Sequence, residues 1–329
     1  MRGPAALFCM LAACGDDGVH HLADAPVPPS AKGIYVTQGD NSIVVFALDA
    51  TGNTAPVRTI TGPLAALNLP IGIDFDTTTK TLFVANRQAG AVHVFDAEAN
   101  GNVAPLRTLM TTGLGSAESV ALTPAGDLFV SCCPGCGSGL GGQVAVFHFP
   151  AGATTSDYTL GGATNDNTGF TQPGSLAFDS ETNELFVGNS FSGNVSVWPM
   201  GAKGDVAPAR AFSPGTVNLQ SIAYANHALY VTVPQQADGV VLTYDSAATG
   251  NPTAAAKLPT GGALNVSYPG GVYVDGGDAP TIYIVDFLGN AIHIVHTTGT
   301  PPAIALGTVT TITGAATNLN MPLGIHVVR

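Results

Sequence analysis

The chain has 329 residues, of which 10% are charged, and its 22 acidic against 10 basic side chains leave a formal net charge of −12. Neutralising a polyanion takes clustered lysine and arginine, so nucleic acid is excluded as a partner. The 41 glycines and 23 prolines, beside modest aromatic content, suit many short strands joined by tight turns.

In chain order, Arg2 precedes an apolar stretch from Ala5 to Ala13 that is too short to span a bilayer and ends in Leu11-Ala12-Ala13-Cys14. That ending resembles the lipobox of bacterial lipoproteins. The resemblance implies that residues 1–13 are a signal peptide removed before Cys14 and that Cys14 is then acylated; an ordinary cleaved signal is the alternative. Residues 14–32, with Pro26, Pro28 and Pro29, read as a flexible polar tether. The expected location is the cell envelope, on the outer-membrane or periplasmic side with a lipid anchor as the one membrane contact, or else outside the cell.

From residue 33 to residue 329 one pattern returns six times: Ile34-Tyr35-Val36, Leu82-Phe83-Val84, Leu128-Phe129-Val130, Leu185-Phe186-Val187, Leu229-Tyr230-Val231 and Ile282-Tyr283-Ile284, spaced 44 to 57 residues apart. Such a period belongs to the blades of a β-propeller, and its continuation to the chain end argues for one closed domain, 33–329. A hairpin and a second strand follow each copy, from Ile43–Phe46 in the first to Ile292–Val295 in the last. A third strand follows, as in Arg58-Thr59-Ile60, and then an element like Gly72-Ile73-Asp74-Phe75. The segments "LFVAN", "VHVFD", "APLRTL" and "PIGIDFD" stand in the order that resembles NHL and YVTN type propeller repeats. The resemblance covers most of the chain and implies that the Gly-Ile-Asp element is the innermost strand of the following blade. Its final copy, Pro322–Val328, has no following blade and must pair with the strands starting at Ile34. The expected fold is all-β: a six-bladed β-propeller of four-stranded blades, closed by the C-terminal inner strand. Arg58, Arg107, Arg210 and Lys257 share one repeat position and belong to the blade pattern.

With strands A to D counted outward from the axis, the A–B and C–D turns share one face and are short, as in "DTTTK" and "EANGN". The opposite face carries the irregular segments 132–142, 161–174, 234–239 and 259–270. Irregular loops on a rigid scaffold are where recognition usually resides. The ligand-binding candidates there are Glu118, Asn86, Asn189 and Gln220, although Asn86, Asn189 and Asp286 end strands where such side chains also close turns. Cys133 and Cys136 have the CxxC spacing of a redox pair, half a metal site or a local structural disulfide. Lacking a second CxxC for zinc, the disulfide in an oxidising compartment is the reading taken, with one of Cys132, Cys133 and Cys136 left over.

One position of the innermost strand reads, in ring order, His326, Asp74, Ala121, Ala177, Ala223 and Tyr273. Tyr273, His326 and Asp74 therefore stand on three neighbouring blades. A carboxylate beside an imidazole and a phenol can do general acid–base work, which makes these the catalytic candidates; a hydrogen-bonded patch opposite the alanines is the structural alternative.

Six blades around a channel also resemble the calcium-dependent lactonases of the gluconolactonase and paraoxonase type. That resemblance implies metal ligands at the inner-strand starts, which here read Ile71, Glu118, Gly174, Gln220, Gly270 and Leu323. One carboxylate and one amide are a poor set for a cation that takes about six to eight oxygen ligands, so no metal or cofactor is expected. The reading is a lipid-anchored, monomeric binding or scaffold module that meets a protein, peptide or glycan of the cell envelope through its irregular-loop face. The alternative is a lactonase-like hydrolase, or another propeller enzyme, with its site at the central channel.

Overall fold

The computed structural model describes residues 31–110, 115–133, 141–148, 152, 154–161, 167–215, 218–234, 240–259 and 261–329. Cys14 and the rest of the first 30 residues lie outside these, as do Cys136 and much of the irregular segments. Among the described residues, six antiparallel four-stranded sheets follow one another. The second blade, for instance, runs outward through Pro70–Asp76, Thr81–Asn86, Ala91–Asp96 and Arg107–Met110. The other inner strands are Ser116–Leu122, Pro173–Asp179, Ser221–Ala225, Pro269–Asp275 and Pro322–Val328. Each touches the inner strands of both neighbouring blades, so the sheets close into a ring.

The ring closes as the repeat requires. Pro322–Val328 lies inside Gly33–Gln38, with Ile34 opposite Val327 and Val36 opposite Ile325. The Thr37 hydroxyl accepts the Gly324 N–H at 2.9 Å and donates to the Ile71 carbonyl at 2.6 Å, tying the first, last and second-blade strands together. Neighbouring inner strands come so close that a Cβ on Gly324 would sit 2.0 Å from the Ile71 carbonyl oxygen.

The second and third strands of a blade are apolar at nearly every position because both blade faces are covered. Ile34, Val36, Val44 and Phe46 pack with Tyr283, Ile292 and Ile312 of the sixth blade. The alternate residues Tyr35, Ile43 and Val45 pack with Ile73, Phe75 and Leu82 of the second. Successive side chains of a strand point to opposite faces, so a run such as Ile-Tyr-Val feeds two interblade cores at once.

The basic position that recurs within the repeat serves the same cores. The Arg58, Arg107 and Arg210 guanidinium groups lie over the rings of Tyr35, Phe83 and Phe186, 5.4 to 5.9 Å from the centroids. Arg58 also donates to the Tyr35 hydroxyl at 2.7 Å, and Arg210 pairs with Glu184 at 2.5 Å. These cations stack on aromatic faces and hold strands together.

One element runs further than its sequence pattern suggests. The hairpin of the sixth blade extends through Ala291–Thr300 and Ala303–Thr313, well past Val295. Its tip turns over the fifth blade, where Thr243 Oγ1 donates to the Pro302 carbonyl at 2.6 Å and Ile304 joins the core of Val241 and Leu258.

Candidate functional site

The inner strands leave a cavity at each end of the axis. On the irregular-loop face it measures about 500 Å³, and all six inner-strand start positions, Ile71, Glu118, Gly174, Gln220, Gly270 and Leu323, line it. Its other polar lining includes Arg87, Gln172, Asn218 and the hydroxyls of Ser119, Ser175, Ser190 and Ser221.

Glu118 and Arg87 dominate the electrostatics. Arg87 opens a 3-10 turn, Arg87–Ala89, that Gly90 ends in the left-handed region at φ 60°. Its own N–H is held by the Leu69 carbonyl at 3.1 Å, which sets the side chain over the mouth. Arg87 Nε meets Glu118 Oε1 at 3.0 Å. Glu118 is only 5% exposed; burial pushes its carboxyl above the usual range, and the guanidinium partly offsets that. Arg87 was not a candidate from the sequence, where "ANRQAG" carries no motif; its role follows from the turn geometry alone.

The amides separate into two groups. Gln220 lines the cavity, its Nε2 donating to the Asn218 carbonyl at 3.1 Å. Asn86 and Asn189 are buried and are not in that lining. Each instead holds the loop entering its own blade: Asn86 Oδ1 accepts the Asn68 N–H at 2.7 Å and Asn189 Oδ1 the Thr171 N–H at 3.1 Å. Gln38 and Asp286 do the same, accepting from Asn320 at 2.7 Å and from Ser267 and Tyr268 at 2.8 and 2.9 Å. These side chains fix the loops that carry Gln172 and Tyr268 into the mouth. Cys132 takes that strand-end position in the third blade, where it is a buried free thiol that burial pushes up to about 12, far from a reactive thiolate. Cys133 is disulfide-bonded.

Beside the mouth lies an adjoining recess of about 310 Å³ lined by Gln220, Tyr268, Gly270, Phe287, Leu288 and Leu323. Tyr268 and Phe287 stand edge to face, 6.1 Å between centroids. Phe191 adds a third ring at the rim, 56% exposed.

At the other end of the axis the trio expected from the repeat is assembled. His326 Nδ1 lies 3.0 Å from Asp74 Oδ1, and the Tyr273 ring meets the imidazole edge to face at 4.9 Å. All three line a second cavity of about 320 Å³ that shares no residue with the first. Burial, with Asp275 and Asp74 nearby, pushes the Tyr273 phenol up to about 12.

The donor set does not fit the calcium implied by the lactonase resemblance. Among the described residues the single carboxylate of the loop-face mouth already has a guanidinium as counter-ion, and four of the six ring positions are Ile, Gly or Leu. Among the described residues no group of three or more His, Cys, Asp or Glu side chains is arranged to hold a metal ion.

The Arylesterase family model matches residues 54–153, a stretch that spans both Arg87 and Glu118. No curated protein matches the chain in sequence. Among solved structures, one from a nidogen–laminin complex aligns with a TM-score of 0.61 and 13% identity, covering 89% of this chain and 97% of that one. A periplasmic gluconolactonase of Pseudomonas aeruginosa aligns with a TM-score of 0.55 and 13% identity over 91% of this chain and 88% of its own. The WD40 β-propeller domain of Doa1 aligns with a TM-score of 0.54 and 12% identity over 87% and 80%. At these identities the likeness is one of fold: the chain is a six-bladed β-propeller.

Proposed function

We propose that the protein is a non-catalytic binding module of the bacterial cell envelope, held by a lipid on Cys14, that takes the end of a glycan in the loop-face cavity. The observation carrying this is the composition of the mouth: an Arg87–Glu118 pair whose carboxylate is buried, three amides and several hydroxyls inside, with Tyr268 and Phe191 at the rim. A sugar needs donors and acceptors placed around its ring and an aromatic face for its C–H groups. A cavity of this volume with a few convergent polar groups suits a ligand of that size.

Calorimetric titration of neutral mono- and disaccharides tests it. Binding of at least one, weakened about tenfold or more in Glu118→Gln, is expected, because the substitution leaves the Arg87 cation without its counter-charge. Failure of every saccharide to bind would overturn the reading.

The Arylesterase match favours a second reading, an ester or lactone hydrolase using the same mouth. Calcium-dependent turnover of phenyl acetate or a lactone, with a melting temperature that EDTA lowers and calcium restores, would establish it in place of the first.

A further inference from the structure

We propose that the cavity at the opposite end of the axis is a second binding site, for a small neutral molecule bearing a hydroxyl group, which His326 receives through Nε2. The inference is independent of what the loop-face mouth binds.

Asp74 cannot turn: its Oδ1 accepts the Phe75 N–H at 2.8 Å and its Oδ2 the Leu122 N–H at 2.7 Å. A carboxylate held in this way acts as an acceptor toward His326 Nδ1, 3.0 Å away. The neutral imidazole then carries its proton on Nδ1, and Nε2 keeps a free lone pair. Among the described residues His326 has no other hydrogen-bond partner. Its side chain is 18% exposed, so the ring edge reaches the cavity.

The walls are unequal in a way that makes room for a guest. Tyr273, His326 and Asp74 fill one strand position on three adjacent blades, while Ala121, Ala177 and Ala223 fill it on the other three, leaving the space of about 320 Å³. Aliphatic side chains such as Val120, Leu176 and Ile222 line it together with Ser180 and Tyr224. Nε2, facing this mixed lining, offers an acceptor to a guest that brings a donor. The carboxylate nearby disfavours an anion.

Phenol is the probe and anisole, close in size but without the donor, its control. The full chain, labelled with 15N in the histidine rings, is titrated with each and followed by NMR. His326 is expected to show the Nδ1-protonated tautomer, phenol to shift its Nε2 signal saturably, and anisole to bind at least tenfold more weakly. His326→Ala should erase the difference between the two probes. Ala177→Leu, which fills the chamber from the opposite wall, should abolish phenol binding while leaving the His326 tautomer unchanged, and Glu118→Gln should leave phenol binding as it was. A proton on Nε2, a shift that does not saturate, or equal affinity for phenol and anisole would overturn the proposal. If His326→Ala does not fold, the two probes on the unmutated chain and Ala177→Leu still decide it.

Discussion

Asp286 is 1% exposed, yet its carboxyl is held below the usual carboxylate range. Burial alone would raise its carboxyl, but the His293 ring 3.7 Å away and the N–H groups of Ser267, Tyr268 and Gly289 outweigh it and hold the group down at about 2. A carboxylate depressed in the folded state stabilises above its unfolded value, near 4, and loses that contribution as pH falls toward 2. The stake is about 2 kcal/mol. Asp286→Asn keeps an acceptor, as Asn86 and Asn189 do elsewhere in the ring, but removes the charge. Its urea-denaturation midpoint is expected to fall below that of the unmutated chain at pH 7 and to converge with it near pH 2. A constant gap across that range would show that Asp286 is not linked to folding through its ionisation.

The element whose removal should cost most is the C-terminal inner strand. It buries Ile325, Val327 and Val328, and burying each such side chain is worth roughly 1.5 to 3 kcal/mol, so the three approach roughly 5 to 9 kcal/mol before chain entropy is counted. That rivals the roughly 5 to 15 kcal/mol that holds a typical domain together. Its loss would also strip the inner edge of Gly33–Gln38 of its ladder partner and expose a strand ready to pair with other chains. Deletion of Leu319–Arg329 is therefore expected to give soluble aggregates by size-exclusion chromatography and a lowered melting temperature. An unchanged melting temperature would mean that the ring holds without this strand.

For the whole molecule, stability is distributed around a closed circle of interblade cores, which leaves both ends of the axis free to carry sites without disturbing the fold. The anchor proposed for Cys14 would present this circle to the envelope through the tether that follows it. Cys14→Ser should move the protein from the membrane to the soluble fraction, since each buried methylene of an acyl chain contributes about 0.8 kcal/mol. Persistent membrane association of the variant at high salt would refute the anchor.

Blade number, closure and the meeting of Asp74, His326 and Tyr273 were all legible in the sequence. A repeat converts sequence position into angular position around the axis, and period-two alternation assigns each side chain a face. What the tertiary structure alone decided was how individual polar groups are spent. Asn86, Asn189 and Gln220 are the same kind of side chain, yet the first two satisfy backbone N–H groups of incoming loops while the third faces a cavity. Which of these happens depends on where an unsatisfied donor 18 residues away in sequence comes to lie. The Arg87–Glu118 pair is likewise set by a loop bond to Leu69 and by the approach of two blades. A buried polar group takes whatever partner long-range packing brings within about 3 Å, and local sequence does not specify that partner.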